Sequence, residues 1–233
     1  MKMYKKVMAA ALAGVMTVSM SATAFAADDD GYILKATNED SKSSDNDLVI
    51  AIEGSVSSMD PANIPDTNAI SATRGVYETL VSFDENQELT GKLAESWEVS
   101  DDSLTYTFKL RQGVKFQDGT DFNAAAVKAN YDRVVNKDNN LRQRRTFIVT
   151  NEDGSETPRV DSIETPDDYT LVIKLTQAWA PFINRMTQFC IISPAALEEY
   201  GNDIMNHPCG TGPYVCTEWE EGDHTSYTIN VSF

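Results

Sequence analysis

From Leu104 to Leu110 the chain reads LTYTFKL, in which Leu104, Tyr106, Phe108 and Leu110 alternate with Thr105, Thr107 and Lys109. A period of two puts one set of side chains on a buried face, so this segment is a half-buried strand. Trp97 and Val99 alternate in the same way just upstream, and Asp101-Asp102-Ser103 between them is a turn, which predicts a β-hairpin. A second hairpin is predicted over about Val160 to Leu175, with Pro166-Asp167-Asp168 at its tip and Tyr169, Leu171, Ile173 and Leu175 on one side. LVIAI, Leu48 to Ile52, is a short apolar run rich in β-branched residues and predicts a strand with neighbours on both faces.

Between these runs the apolar spacing changes to that of helices. Asn123 caps a predicted helix with Ala124, Val127, Tyr131, Val134 and Val135 on one face. Asn68 is the expected cap of another, whose inward residues are Ile70, Val76, Tyr77 and Leu80. Ser193-Pro194 opens a short helix that Gly201 closes. Hairpins with helices interposed, without steady β-α-β alternation, give a mixed α+β or α/β architecture.

The first 47 residues follow neither pattern. Lys2, Lys5 and Lys6, an apolar run from Val7 to about Met20, and Ala24-Phe25-Ala26 compose a secretory signal peptide cut after Ala26. No cysteine lies in or just after it, so no lipid attachment site is expected. Residues 27–47, mostly Asp, Ser, Asn and Lys, are expected to be a flexible acidic leader. The formal charge of −17 becomes −20 once the three signal lysines are removed. So acidic a chain repels nucleic acid, and a solvated exported surface is the simpler reading. With 41% hydrophobic and 9% aromatic residues over its whole length, the chain can bury a core.

Candidate chemistry is sparse. Three cysteines, Cys190, Cys209 and Cys216, permit one disulfide and leave a thiol over. C-x6-C with His207 and a distant His224 is not a zinc spacing, and no metal or other cofactor is expected. G-x-S-x-G, H-E-x-x-H and phosphate-loop patterns are absent, so an enzyme is not expected. Gly210-Thr211-Gly212 runs into Pro213, where a phosphate loop would open a helix. Arg142-Gln143-Arg144-Arg145 with Phe147 stands out against the acidic background. Such a cluster can grip a ligand carboxylate bidentately, or it can be surface arginines balancing nearby acids.

The ordered run LAESWEVSDDSLTYTFKLRQGVKFQDGTDFNAAAVKANYDRV, from Leu93 to Val134, resembles the peptide/nickel class (family 5) of solute-binding proteins of ABC importers. MDP at 59–61, YETLV at 77–81, ISPAALEEYG at 192–201 and GTGPY at 210–214 support the resemblance. KFQDGTDFNAAAVKAN and ISPAALEEYG look most like its glutathione-binding members. It implies a periplasmic-binding-protein type II fold that closes on a small peptide, glutathione or a similar solute and hands it to a membrane permease. Receptors of this class act outside the cytoplasm, as monomers. A nickel-chelate or other solute receptor of the same fold, or a non-binding remnant, is the alternative. The resemblance covers about Leu48 to Asn230, the N-terminal portion of such proteins, and INVSF departs from the family's continuation. A cut or frame shift near Asn230, a second lobe outside this chain, and weak binding or none by this chain alone are therefore expected.

Within residues 48–233, the resemblance implies a first-lobe core over about 48–77 and 186–233 and an inserted subdomain over about 78–185. It places a ligand against the loop holding Pro65, Asp66, Thr67 and Asn68. It also lines the cleft from the region of Arg144, Arg145 and Phe147, and from Gln188 and Phe189. Arg144 or Arg145 would meet a ligand carboxylate. HPCGTGPYVC, residues 207–216, is implied to be a turn entering a strand, with free backbone at the glycines and Cys209 and Cys216 as buried thiols; a disulfide between the two stays open.

Overall fold

The computed structural model describes residues 48–233. The expected signal peptide and acidic leader lie outside the described residues. Among the described residues no helix is long and apolar enough to cross a membrane.

The centre of the structure is a four-stranded antiparallel sheet of β3 (Ala94–Val99), β4 (Thr105–Leu110), β7 (Val160–Asp167) and β8 (Thr170–Leu175), in the order β3-β4-β8-β7. Both predicted hairpins are its outer pairs. Alternation decides its inner face: Tyr106 stands opposite Ile173 and Phe108 opposite Leu171, and all four are buried. The tip of the second hairpin is one residue later than the sequence suggested. Asp167 is still paired with Thr170, which leaves Asp168 and Tyr169 as the turn. Asp167 fixes that turn by accepting from the Tyr169 amide at 2.9 Å.

Three shorter pairs surround the sheet: β1 (Val81–Phe83) with β2 (Leu89–Gly91), β5 (Ile148–Thr150) with β6 (Glu156–Pro158), and β9 (Tyr214–Glu220) with β10 (His224–Ile229). Among the described residues five α-helices accompany them: α1 (Thr67–Thr73), α2 (Ala124–Val135), α3 (Arg144–Phe147), α4 (Phe182–Met186) and α5 (Pro194–Tyr200). α2 begins where predicted, the Asn123 side chain accepting from the Ala126 amide at 2.9 Å. Ser193 caps α5, and Gly201 ends it at φ 55°. Buried Asn130 on α2 donates to the Ile192 carbonyl at 2.7 Å and accepts from the Ile192 amide at 3.0 Å, which ties α2 to the segment entering α5.

Three expectations need correction. Residues 48–52 form no strand, and Leu48, Val49, Ile50 and Ile52 are exposed. Apolar character alone does not make a strand; a ladder needs backbone partners, and none of the described residues supplies them. The cap of α1 is Asp66, which accepts from the Ala69 amide at 2.9 Å, whereas Asn68 lies inside the helix. α1 is then only two turns long, so Val76, Tyr77 and Leu80 are buried beyond its end and Ile70 is exposed. Finally, the glycines of HPCGTGPYVC serve close packing rather than free backbone. A Cβ on Gly212 would stand 2.5 Å from the Gly75 carbonyl oxygen, and Gly210 is tighter still. The stretch does enter a strand, β9. Cys209 is buried, Cys216 half-buried, and all three cysteines are free, so the open disulfide is not formed.

Candidate functional site

The three segments proposed from the sequence meet at one residue, Gln143. Its backbone amide donates to the Ala62 carbonyl at 3.0 Å, and its Nε2 donates to the Gln188 carbonyl at 2.8 Å. The loop that continues to Pro65–Asn68, the arginine segment and the turn before α5 are thereby stitched edge to edge. Gln143 itself was missed as a functional residue. Nothing in the sequence distinguishes a linking glutamine inside RQRR from a surface one.

The loop is held rigidly for a segment rich in Ser, Asp and Pro. Asp60, buried, accepts from the Ala62 amide and takes both guanidinium nitrogens of Arg133, at 2.6 and 3.2 Å. The Tyr77 hydroxyl donates to the Met59 carbonyl at 3.2 Å, and the Trp219 indole donates to the Val56 carbonyl at 3.0 Å. Asp66 accepts from the Ser57 hydroxyl as well as from the Ala69 amide, and these two bonds hold its carboxyl below the usual range. Asn68 donates to the Glu53 carbonyl at 2.7 Å. Asp66 and Asn68 are thus spent on shaping the loop, while Pro65 and Thr67 face solvent.

The arginines divide. Arg144 forms a bidentate pair with Glu156 on β6, at 2.7 and 2.8 Å, and its Nε donates to the Val135 carbonyl at 2.9 Å. The pair raises the Arg144 pKa and lowers that of Glu156. For this residue the charge-balancing alternative describes the geometry. Arg145 is exposed, with only its Nε engaged, on the Arg142 carbonyl at 3.0 Å, and no carboxylate pairs with it among the described residues.

Phe147 and Phe189 are brought together, ring centroids 5.4 Å apart, but both are buried. Tyr131 packs edge-on against Phe147 at 5.3 Å, and burial pushes its phenol up to about 12. The two phenylalanines therefore form the floor beneath the rim. Gln188, beside Phe189, is exposed. Of the nine residues proposed, Pro65, Thr67, Arg145 and Gln188 present surface, and the other five hold the frame.

Two cavities lie away from this rim. One of about 260 Å³ lies between α2 and α5 beside Arg133, and one of about 400 Å³ is lined by Lys92, Arg111 and Lys115. None of the nine residues lines either. An open rim with a buried aromatic floor is suited to covering one side of a ligand.

Residues 88–233 match the family model of bacterial extracellular solute-binding proteins, family 5, middle region. The chain belongs to this family. It is 38% identical over 212 residues to the glutathione-binding protein GsiB of Shigella dysenteriae, covering 90% of this chain and 36% of that protein. Among solved structures it is similar to NikZ of Campylobacter jejuni in complex with Ni(L-His), at 27% identity and a TM-score of 0.67, over 78% of this chain and 35% of that one. It is also similar to the periplasmic binding protein DppA of Helicobacter pylori in complex with the peptide STSA, at 29% identity and a TM-score of 0.62, over 77% and 38%. The mixed α/β fold is accordingly that of the periplasmic binding proteins. The chain spans about a third of the length of the relatives it matches.

Proposed function

We propose that the chain is part of an exported receptor of an ABC importer that captures a small peptide, glutathione or a di- or oligopeptide, and presents it to a membrane permease. The observation that carries this reading is the junction at Gln143, where three segments far apart in sequence form one continuous rim. In this reading Pro65, Thr67, Arg145 and Gln188 touch the solute, Arg145 through its carboxylate. Asp66, Asn68, Arg144, Phe147 and Phe189 hold them in place. The relationship to GsiB favours glutathione, which carries two carboxylates.

The proposed division of residues 48–233 into a first-lobe core and a subdomain inserted at about 78–185 is supported by how the insert begins and ends. Thr79 and Cys190 form an antiparallel bridge, and the Ile191 amide donates to the Glu78 carbonyl at 3.0 Å. An open rim leaves a ligand exposed to water on one side, so these residues by themselves are expected to bind weakly.

The structural likeness to NikZ keeps a nickel-chelate receptor as the second reading. Thermal-shift and calorimetric titrations with glutathione, a dipeptide panel and nickel plus histidine separate the two. Binding of glutathione at high micromolar to millimolar concentration, lost in Arg145→Ala, supports the first reading. A response to the nickel chelate that is retained in His224→Gln, with none to any peptide, overturns it.

A further inference from the structure

The β9–β10 hairpin lies outside the rim and carries a group of side chains that the transport reading does not use. Glu220 and His224 are direct cross-strand partners, so their side chains leave the same face of the hairpin. Asp223 sits in the turn between them, its amide donating to the Glu220 carbonyl at 3.1 Å, and Gly222 takes φ +82° to make that turn. One ligand atom from each of Glu220, Asp223 and His224 lies within 4.8 Å of the others. Glu218, two residues before Glu220 and so on the same face, stands 3.2 Å from Nε2 of His224, while Asp223 stands 2.9 Å from Nδ1.

We propose that this hairpin tip binds a divalent cation of intermediate hardness, such as Zn²⁺ or Ni²⁺, through Glu220, Asp223 and Nδ1 of His224. One imidazole with two carboxylates suits such ions better than the all-oxygen sets that favour Mg²⁺ or Ca²⁺. The paired strands fix two of the three ligands opposite each other before any ion arrives. The side chains are exposed, and are free to draw in to the roughly 2.1 Å bonds these metals make. Glu218 supplies what a metal-bound imidazole needs on its far side, a carboxylate accepting from Nε2–H that fixes the ring and its tautomer. The metal takes the place of the proton on Nδ1, which leaves to solvent.

Zinc chloride titrated calorimetrically into the chain tests this, with the ring resonances of the two histidines followed by NMR. The expected result is one saturable site whose binding moves the His224 resonances and leaves those of His207 in place. Glu220→Gln, Asp223→Asn and His224→Gln together weaken it at least about tenfold with an unchanged circular dichroism spectrum, and Glu218→Gln weakens it less. Equimolar calcium leaves the zinc in place. No saturable binding, affinity unchanged in the triple variant, zinc that moves only His207, or displacement by calcium would each overturn the proposal.

Discussion

A Cβ built on Gly210 stands 2.1 Å from the carbonyl oxygen of Val76. The two segments touch backbone to backbone, and the Gly212 amide donates to that same carbonyl at 2.9 Å. Gly210→Ala must push them apart, at a cost on the order of 3 kcal/mol. Gly154→Ala is the control, because its φ of +82° costs about 1 kcal/mol while its surroundings are open. Denaturant melts should rank the two in that order; equal losses would mean that contact with Val76 contributes nothing.

The Asp60–Arg133 pair should behave as a buried ion pair, since the side chains are only 7% and 11% exposed. Asp60→Ala leaves the guanidinium without its partner and should cost roughly 3 to 5 kcal/mol. Replacing both residues by apolar ones should restore much of that loss. A double variant no better than the single would show that Asp60 acts mainly through the Ala62 amide.

Acid should weaken the fold at two named carboxyls. Burial works to raise the Asp118 pKa, but hydrogen bonds from Ser193 and Thr120 outweigh it, and the net shift is downward. Asp66 is lowered by Ser57 and the Ala69 amide. A carboxyl whose folded pKa lies below its unfolded value stabilises above the unfolded value, about 3.9, and loses that contribution as the pH falls through the folded one. Thermal midpoints measured from pH 5 to pH 2 should therefore drop less steeply in Asp118→Asn than in the parent chain, and a parallel pair of curves would rule this linkage out.

The thiols should be inert while the chain is folded. Burial pushes Cys190 and Cys209 up to about 12 and raises Cys216 as well. Reaction with a disulfide reagent at pH 8 should be slow in the native protein and fast in denaturant. Rapid native labelling of Cys190 would contradict the burial that raises its pKa.

The sequence made legible what rests on local rules. The caps Asn123 and Ser193, the alternation of Tyr106, Phe108 and Leu110, and the Gly201 stop each depend on a few neighbouring residues, and each lies where the pattern placed it. One local rule was misread, since Asp66 and not Asn68 caps α1, but most of what escaped depends on partners distant in the chain. LVIAI had strand composition without a ladder, and Gln143 gains its place only because Ala62 and Gln188 arrive beside it. The arginines show the same limit. Their charge was plain, but only the position of Glu156 separates the spent Arg144 from the available Arg145.

The bridge between Thr79 and Cys190 has a further consequence for how chains of this family diversify. More than a hundred residues leave and re-enter the rest of the chain through adjacent backbone positions, so the gap that a replacement segment must span is one strand spacing, about 5 Å. A segment of different length or sequence fits the same gap at a loop-closure cost that grows only with the logarithm of its length. Exchanging residues 79–189 between relatives would need only two neighbouring backbone joints, but the incoming segment must also supply the partners that Asp118, Asn130 and Arg133 give Ser193, Ile192 and Asp60 here. A graft that keeps those three side chains preserves the ties to the rest of the chain while the arginine-bearing part of the rim changes.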